Sequence, residues 1–71
     1  MKELLIKNLN ILKLDEDIIN KLNVFDINKV YELCALNRKL LKSYGLTVSE
    51  VNEIIIKLQL SGLDLSKKYR I

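Results

Sequence analysis

The chain has 71 residues, 49% of them hydrophobic and 30% charged, which fits one small domain hiding only about 60% of its unfolded surface. The single cysteine, Cys34, excludes an intramolecular disulfide framework, and the absence of histidine leaves a zinc site without its usual ligands, so a reducing cytoplasmic setting is expected. The net charge of +3 rests in Lys67, Lys68 and Arg70: without them nine basic residues face nine acidic ones.

That partition divides the chain into a helical domain, residues 1–66, and a basic tail, residues 67–71. Affinity for duplex DNA follows the number of phosphates neutralised, and a neutral domain offers few cations for it. The tail can be a solvated terminus or a contact for an anionic partner. Lys2, Glu3, Lys7 and Lys13 interrupt the first leucines, so no secretory signal is expected. No apolar run approaches the roughly 20 residues that span a bilayer, so no membrane partner is expected. Without proline, and with two glycines, no linker is foreseen, nor is any internal repeat.

In chain order, Leu4 to Leu14 mixes apolar and polar residues, and Leu9, Ile11, Leu12 and Leu14 predict an extended segment laid on a helical core. Asp15 is a candidate N-cap, and Asp15-Glu16-Asp17 sits where a helix dipole favours negative charge. Ile18, Ile19 and Leu22 then mark a short helix, followed by a turn at Asn23 to Phe25. Asp26 is read as the cap of a second helix reaching Ala35, with Ile27, Val30, Leu33 and Cys34 inward. Asn37 caps a third, from Arg38 to Tyr44, burying Leu40 and Leu41, and Gly45 breaks it.

The last helix carries both a start and a stop signal. Thr47 with Glu50 three residues on forms a capping box, and Gly62 can close the helix in the left-handed conformation while Leu63 folds back. Between them Val48, Val51, Ile54, Ile55 and Leu58 recur at helical spacing and define an inward face. The prediction is an all-α, compact bundle of four or five short helices with an extended N-terminal segment.

Leu4-Leu5-Ile6-Lys7, Leu12-Lys13-Leu14, Asn20 with Leu22, Leu40-Leu41-Lys42, Glu53-Ile54 with Leu58, and Gly62-Leu63-Asp64-Leu65 together resemble the C-terminal domain of the bacterial RNA polymerase α subunit. The likeness covers nearly the whole chain. It implies a SAM-like bundle with a helix-hairpin-helix-like element, a place in transcription, and contacts with promoter DNA, polymerase or a regulator. Fold transfers more safely than function along such a likeness.

Carried over by residue, the resemblance makes Asn20, Lys21, Thr47, Ser49 and Glu53 the candidate DNA contacts. Asn20 matches the family's asparagine, with Lys21 beside it, and Glu53 matches a family glutamate. The sequence departs elsewhere. Asp17 stands where the family presents a minor-groove arginine, and Thr47, Ser49 and Glu50 replace a glycine, lysine and serine at the phosphate-facing hairpin. A capping box occupies the amides that a phosphate would use there.

Ile56 and Leu60 fall about 140° and 180° from Val51 around the last helix, away from the inward stripe. Either an N-terminal segment such as Leu4 to Leu9 covers them, or they are scattered surface apolars, or with Asn52 they form a candidate protein interface. Catalysis has no constellation to rest on. Cys34 lacks a histidine and sits at apolar spacing, Tyr31, Tyr44 and Tyr69 are dispersed, and Arg38, Lys39 and Lys42 read as a solvated basic face. No enzyme activity and no cofactor is expected. Two functions stand: a transcription-associated module touching DNA weakly, or polymerase or a regulator; and a protein-interaction module, homodimeric or regulatory, that kept the fold and lost DNA binding.

Overall fold

Apolar residues three and four apart fold the chain into five α-helices among residues 2–69, which the computed structural model describes. They are α1 (Lys2–Leu5), α2 (Glu16–Val24), α3 (Val30–Cys34), α4 (Arg38–Ser43) and α5 (Val48–Leu60). The expected all-α bundle is what the structure has. Its core is wholly aliphatic apart from Cys34, with Ile18, Leu22, Leu33, Leu41, Ile54 and Leu58 fully enclosed and no charged or polar side chain buried among the described residues. Aliphatic packing therefore supplies the stabilisation, and solvated groups decorate the outside.

Three helices stop by the same device. At the end of α2, Ile27 N–H donates to the Leu22 carbonyl and Asp26 N–H to the Asn23 carbonyl. At the end of α4, Leu46 donates to Leu41 and Gly45 to Lys42; at the end of α5, Leu63 donates to Leu58 and Gly62 to Gln59. Each is a Schellman cap, with a left-handed residue followed by an apolar one that packs on the last turn. The left-handed residues are Asp26, Gly45 and Gly62, at φ 61°, 94° and 78°. Ile27, Leu46 and Leu63 behind them are all buried. The three caps share a sequence pattern, a leucine followed at four and five residues by Asp or Gly and then Ile or Leu: Leu22-Asp26-Ile27, Leu41-Gly45-Leu46, Leu58-Gly62-Leu63.

This device corrects the reading of Asp26. It ends α2 and does not cap α3, which begins four residues later at Val30. Glu32 takes over the start of α3, its Oε1 accepting from the N–H groups of Asn28 at 3.0 Å and Lys29 at 2.9 Å. Asp15 holds the N-cap position of α2 without a side-chain cap bond. The helix also runs to Val24, so the turn starts at Phe25 and not at Asn23.

The N-terminal segment is helical where an extended one was expected. Leu5, Leu9 and Leu12 stand four and three apart and all turn inward, through α1 and a 3-10 turn at Leu9–Leu12 that ends at left-handed Lys13. Only the link at Asn8 is extended, pairing with Lys29 in a β-bridge: Leu9 N–H donates to the Asn28 carbonyl and Val30 N–H to Lys7, both at 3.0 Å. Ile11, expected inward, is exposed.

Two further apolar residues expected inside lie outside. Leu40 precedes buried Leu41 by one residue, a rotation of about 100°, and faces solvent. Val48 lies within the inward arc but is 58% exposed. It opens α5, and helical side chains lean toward the N-terminus, so Val48 overhangs the helix start where nothing packs. The first tail residue, Lys67, and Ser66 before it are tied down: Ser66 N–H donates to the Leu36 carbonyl at 2.7 Å and Lys67 N–H to Cys34 at 3.0 Å. Arg70 and Ile71 lie outside the described residues.

Candidate functional site: the α4–α5 corner and the outward face of α5

The α4–α5 corner is built by Thr47 and Glu50, as the capping box predicts. Thr47 N–H donates to Glu50 Oε1 at 2.9 Å, and Glu50 N–H donates to Thr47 Oγ1 at 3.1 Å. The same Glu50 Oε1 accepts from Lys21 Nζ at 2.8 Å. The Lys21 hydrogen bond, then the Thr47 N–H, then the lysine charge hold the Glu50 carboxyl below its ordinary value. Lys21 is thereby spoken for, and a cation neutralised at contact distance offers little to a phosphate.

A second bond runs alongside. The Asp15 N–H donates to Glu53 Oε2 at 3.2 Å, so Asp15 meets Glu53 while Lys21 meets Glu50, and two bonds tie α2 to the first half of α5. One turn beyond Lys21, Phe25 stacks on Tyr44 with ring centroids 4.1 Å apart. Lys21 and Phe25 therefore fasten one face of α2 to both sides of the corner. Sequence reasoning missed Phe25 and gave Glu50 no such central place, because both ties join residues far apart in the chain.

Of the candidate DNA contacts, the structure gathers Lys21 and Thr47 around Glu50, while Asn20 stays exposed on α2. Ser49 is exposed in the first turn of α5, and Glu53 is turned to the start of α2. Acidic groups prevail on this side, since Asp15, Glu16 and Asp17 are all exposed at the N-terminus of α2.

The outward face of α5 has a different character. Val48, Asn52, Ile56 and Leu60 succeed one another four residues apart, each exposed; Ile56 is 55% and Leu60 79% exposed. Among the described residues no N-terminal segment covers them. A shallow depression of about 480 Å³ lies along the first half of this face, lined by Val48, Ser49, Asn52, Glu53 and Ile56. The candidate interface residues Asn52, Ile56 and Leu60 are thus joined by Val48 into one line.

The opposite flank brings together basic residues that are distant in sequence. Arg38 and Lys39 share a depression of about 560 Å³ with Lys67, and Asp64 sits in the same lining. Cys34 is fully enclosed, and burial, with the Asp64 carboxylate adding to it, pushes its thiol up to about 11. A thiol so held is protonated at neutral pH and is packing material. Among the described residues no group of three His, Cys, Asp or Glu side chains is placed to hold a metal ion, and no helix is long and apolar enough to cross a membrane.

No protein-family model matches this chain, and no curated protein is significantly similar to it.

Proposed function

We propose that this chain is a non-catalytic protein-binding module of bacterial transcription, cytoplasmic, that holds polymerase or a transcription regulator against the outward face of α5. The observation that carries it is the line of exposed apolar side chains Val48, Ile56 and Leu60 on the longest helix, with Asn52 among them. Aliphatic residues grouped on one face with a polar rim are the usual makings of a docking surface. The transcription setting comes from the resemblance to the polymerase α C-terminal domain alone.

DNA contact is weak and nonspecific in this proposal. The Lys21–Glu50 pair and the Thr47–Glu50 box occupy two of the groups that the resemblance assigns to DNA, Lys21 and Thr47. The experiment has two arms. Purified bacterial polymerase is captured by the immobilised protein, and replacing Ile56 and Leu60 together with aspartate abolishes the capture while the thermal melt is unchanged. An A/T-rich duplex binds no tighter than about 1 μM at physiological salt. Capture that survives the double replacement, or tight duplex binding, overturns the proposal.

A further inference from the structure

Arg38, Lys39 and Lys67 come from two stretches far apart in the chain, yet they line one depression of about 560 Å³. Backbone bonds put them there. Ser66 N–H donates to the Leu36 carbonyl at 2.7 Å and Lys67 N–H to the Cys34 carbonyl at 3.0 Å, which sets residues 64–67 against the link that leads into α4. Lys42, three residues after Lys39 and four after Arg38, shares their side of α4, and Lys68 follows Lys67; all five cations are exposed. None of them has a carboxylate at contact distance among the described residues, where Lys21–Glu50 is the one ion pair. Lys67 Nζ lies 5.7 Å from the centroid of the Tyr69 ring, a contact that holds the ammonium without neutralising it.

The fold thus draws like charges together, at a cost that no carboxylate of the domain offsets by pairing. Most acidic groups lie elsewhere. Asp15, Glu16 and Asp17 stand at the start of α2, and Glu50 and Glu53 bond to Lys21 and Asp15. Asp64 is the single carboxylate in the lining, against three cations. Charge therefore selects an anionic occupant, and the rest of the lining selects its kind. Ile55 and Leu65, both half-buried, add apolar surface beside the cations. A nucleic-acid strand carries a negative charge at every residue, so it sets one against Asp64 and leaves Ile55 and Leu65 unused. A peptide can place carboxylates on the cations, an uncharged residue opposite Asp64 and apolar side chains on Ile55 and Leu65.

The geometry points to an acidic peptide segment of a partner protein, its carboxylates interspersed with apolar residues, docking between the start of α4 and residues 64–67. The depression is shallow, which suits a segment lying across it better than a small molecule enclosed by it. Attraction between exposed charges makes the complex weak and sensitive to salt. This surface shares no residue with the line Val48, Asn52, Ile56 and Leu60, and does not rest on the reading of that line.

Fluorescence anisotropy with a labelled peptide of repeated Glu-Glu-Leu units tests this on the intact chain. The peptide binds in the micromolar range at low salt and several-fold more weakly at physiological salt, and the same peptide with glutamine for glutamate does not bind. Arg38→Glu with Lys67→Glu weakens binding about tenfold or more, and Arg38→Gln with Lys67→Gln weakens it less. Glutamate in the first turn of α4 suits the helix dipole, so the melt of the first pair is unchanged. Lys7→Glu with Lys13→Glu makes the same change of net charge on exposed lysines outside the depression, and at physiological salt it alters binding by less than about twofold. A peptide that does not bind below millimolar concentration, a charge-reversed depression that binds like wild type, or a control pair that loses as much overturns the proposal. A single-stranded DNA of equal charge that binds tighter than the peptide, and loses that affinity with Arg38→Glu and Lys67→Glu, also overturns it, since the depression then serves phosphates. Polymerase is absent from this assay, so either proposal can fail alone.

Discussion

The α2–α3 and α4–α5 corners are two solutions to one problem. Each ends a helix in a Schellman cap with a buried leucine, Leu22 or Leu41, and a buried apolar residue beyond the turn, Ile27 or Leu46. Each then starts the next helix with a glutamate in its first turn that accepts backbone N–H groups, Glu32 or Glu50. They differ in their polar dress. Asp26 holds the left-handed position in one and Gly45 in the other, and Lys29 stands at the N-cap where Thr47 stands in its counterpart. A buried leucine and a buried aliphatic beyond the turn set the corner's geometry, and the polar groups are left to decide what else the corner does. At the α4–α5 corner they are spent internally, on Thr47, Glu50 and Lys21.

The comparison breaks most visibly at the leucines. Leu22→Ala and Leu41→Ala each empty a fully enclosed site and cost about 2–5 kcal/mol in urea unfolding. Equivalent corners predict similar losses, and a large inequality would show one corner to be dispensable. Next come the left-handed residues. Gly45→Ala costs about 1–2 kcal/mol from backbone conformation, since a Cβ there would meet nothing within 4 Å. Asp26→Gly has the opposite sign and stabilises by about 0.5 kcal/mol, the strain relieved less the extra chain entropy of glycine. A destabilising Asp26→Gly would mean that the aspartate side chain helps the turn.

The smallest effect belongs to Lys21. Its ion pair with Glu50 is partly solvated and is worth less than about 1 kcal/mol. The Glu50 carboxyl is held below its ordinary value, so this stabilisation is fully present above the unfolded carboxyl range near pH ~4.3 and is lost as pH falls through the folded value. Lys21→Met should differ from wild type most at neutral pH and converge with it in acid, as followed by the unfolding midpoint across pH. A gap that widens in acid would reverse the assignment.

Local signals were the legible ones. The Thr47–Glu50 box, the Asn37 cap, the end of α5 at Gly62 and the inward set Val51, Ile54 and Leu58 all declare themselves within a few residues. Asp26 did not, because the same left-handed turn was recognisable from glycine at Gly45 and Gly62 and disguised by a residue that also caps helices. Aligning Leu22-Asp26-Ile27 with the two glycine versions would have exposed it. On the candidate site, periodicity correctly put Ile56 and Leu60 outside the core stripe. It could not foresee the Lys21–Glu50 and Phe25–Tyr44 ties, which depend on how α2 lies against the α4–α5 corner.

The strap that runs from Asp64 to Lys67 lies over the one thiol of the core. Its two backbone bonds clip the chain's last stretch to Leu36 and Cys34, beside a thiol that is sealed and protonated. Alkylation of Cys34 therefore clocks how often the clip springs open. In the intact protein labelling is slow, and Leu63→Ala, which loosens the anchor of the strap, should speed it while the helices remain. Unchanged labelling would mean that the thiol is reached only by unfolding of the whole bundle.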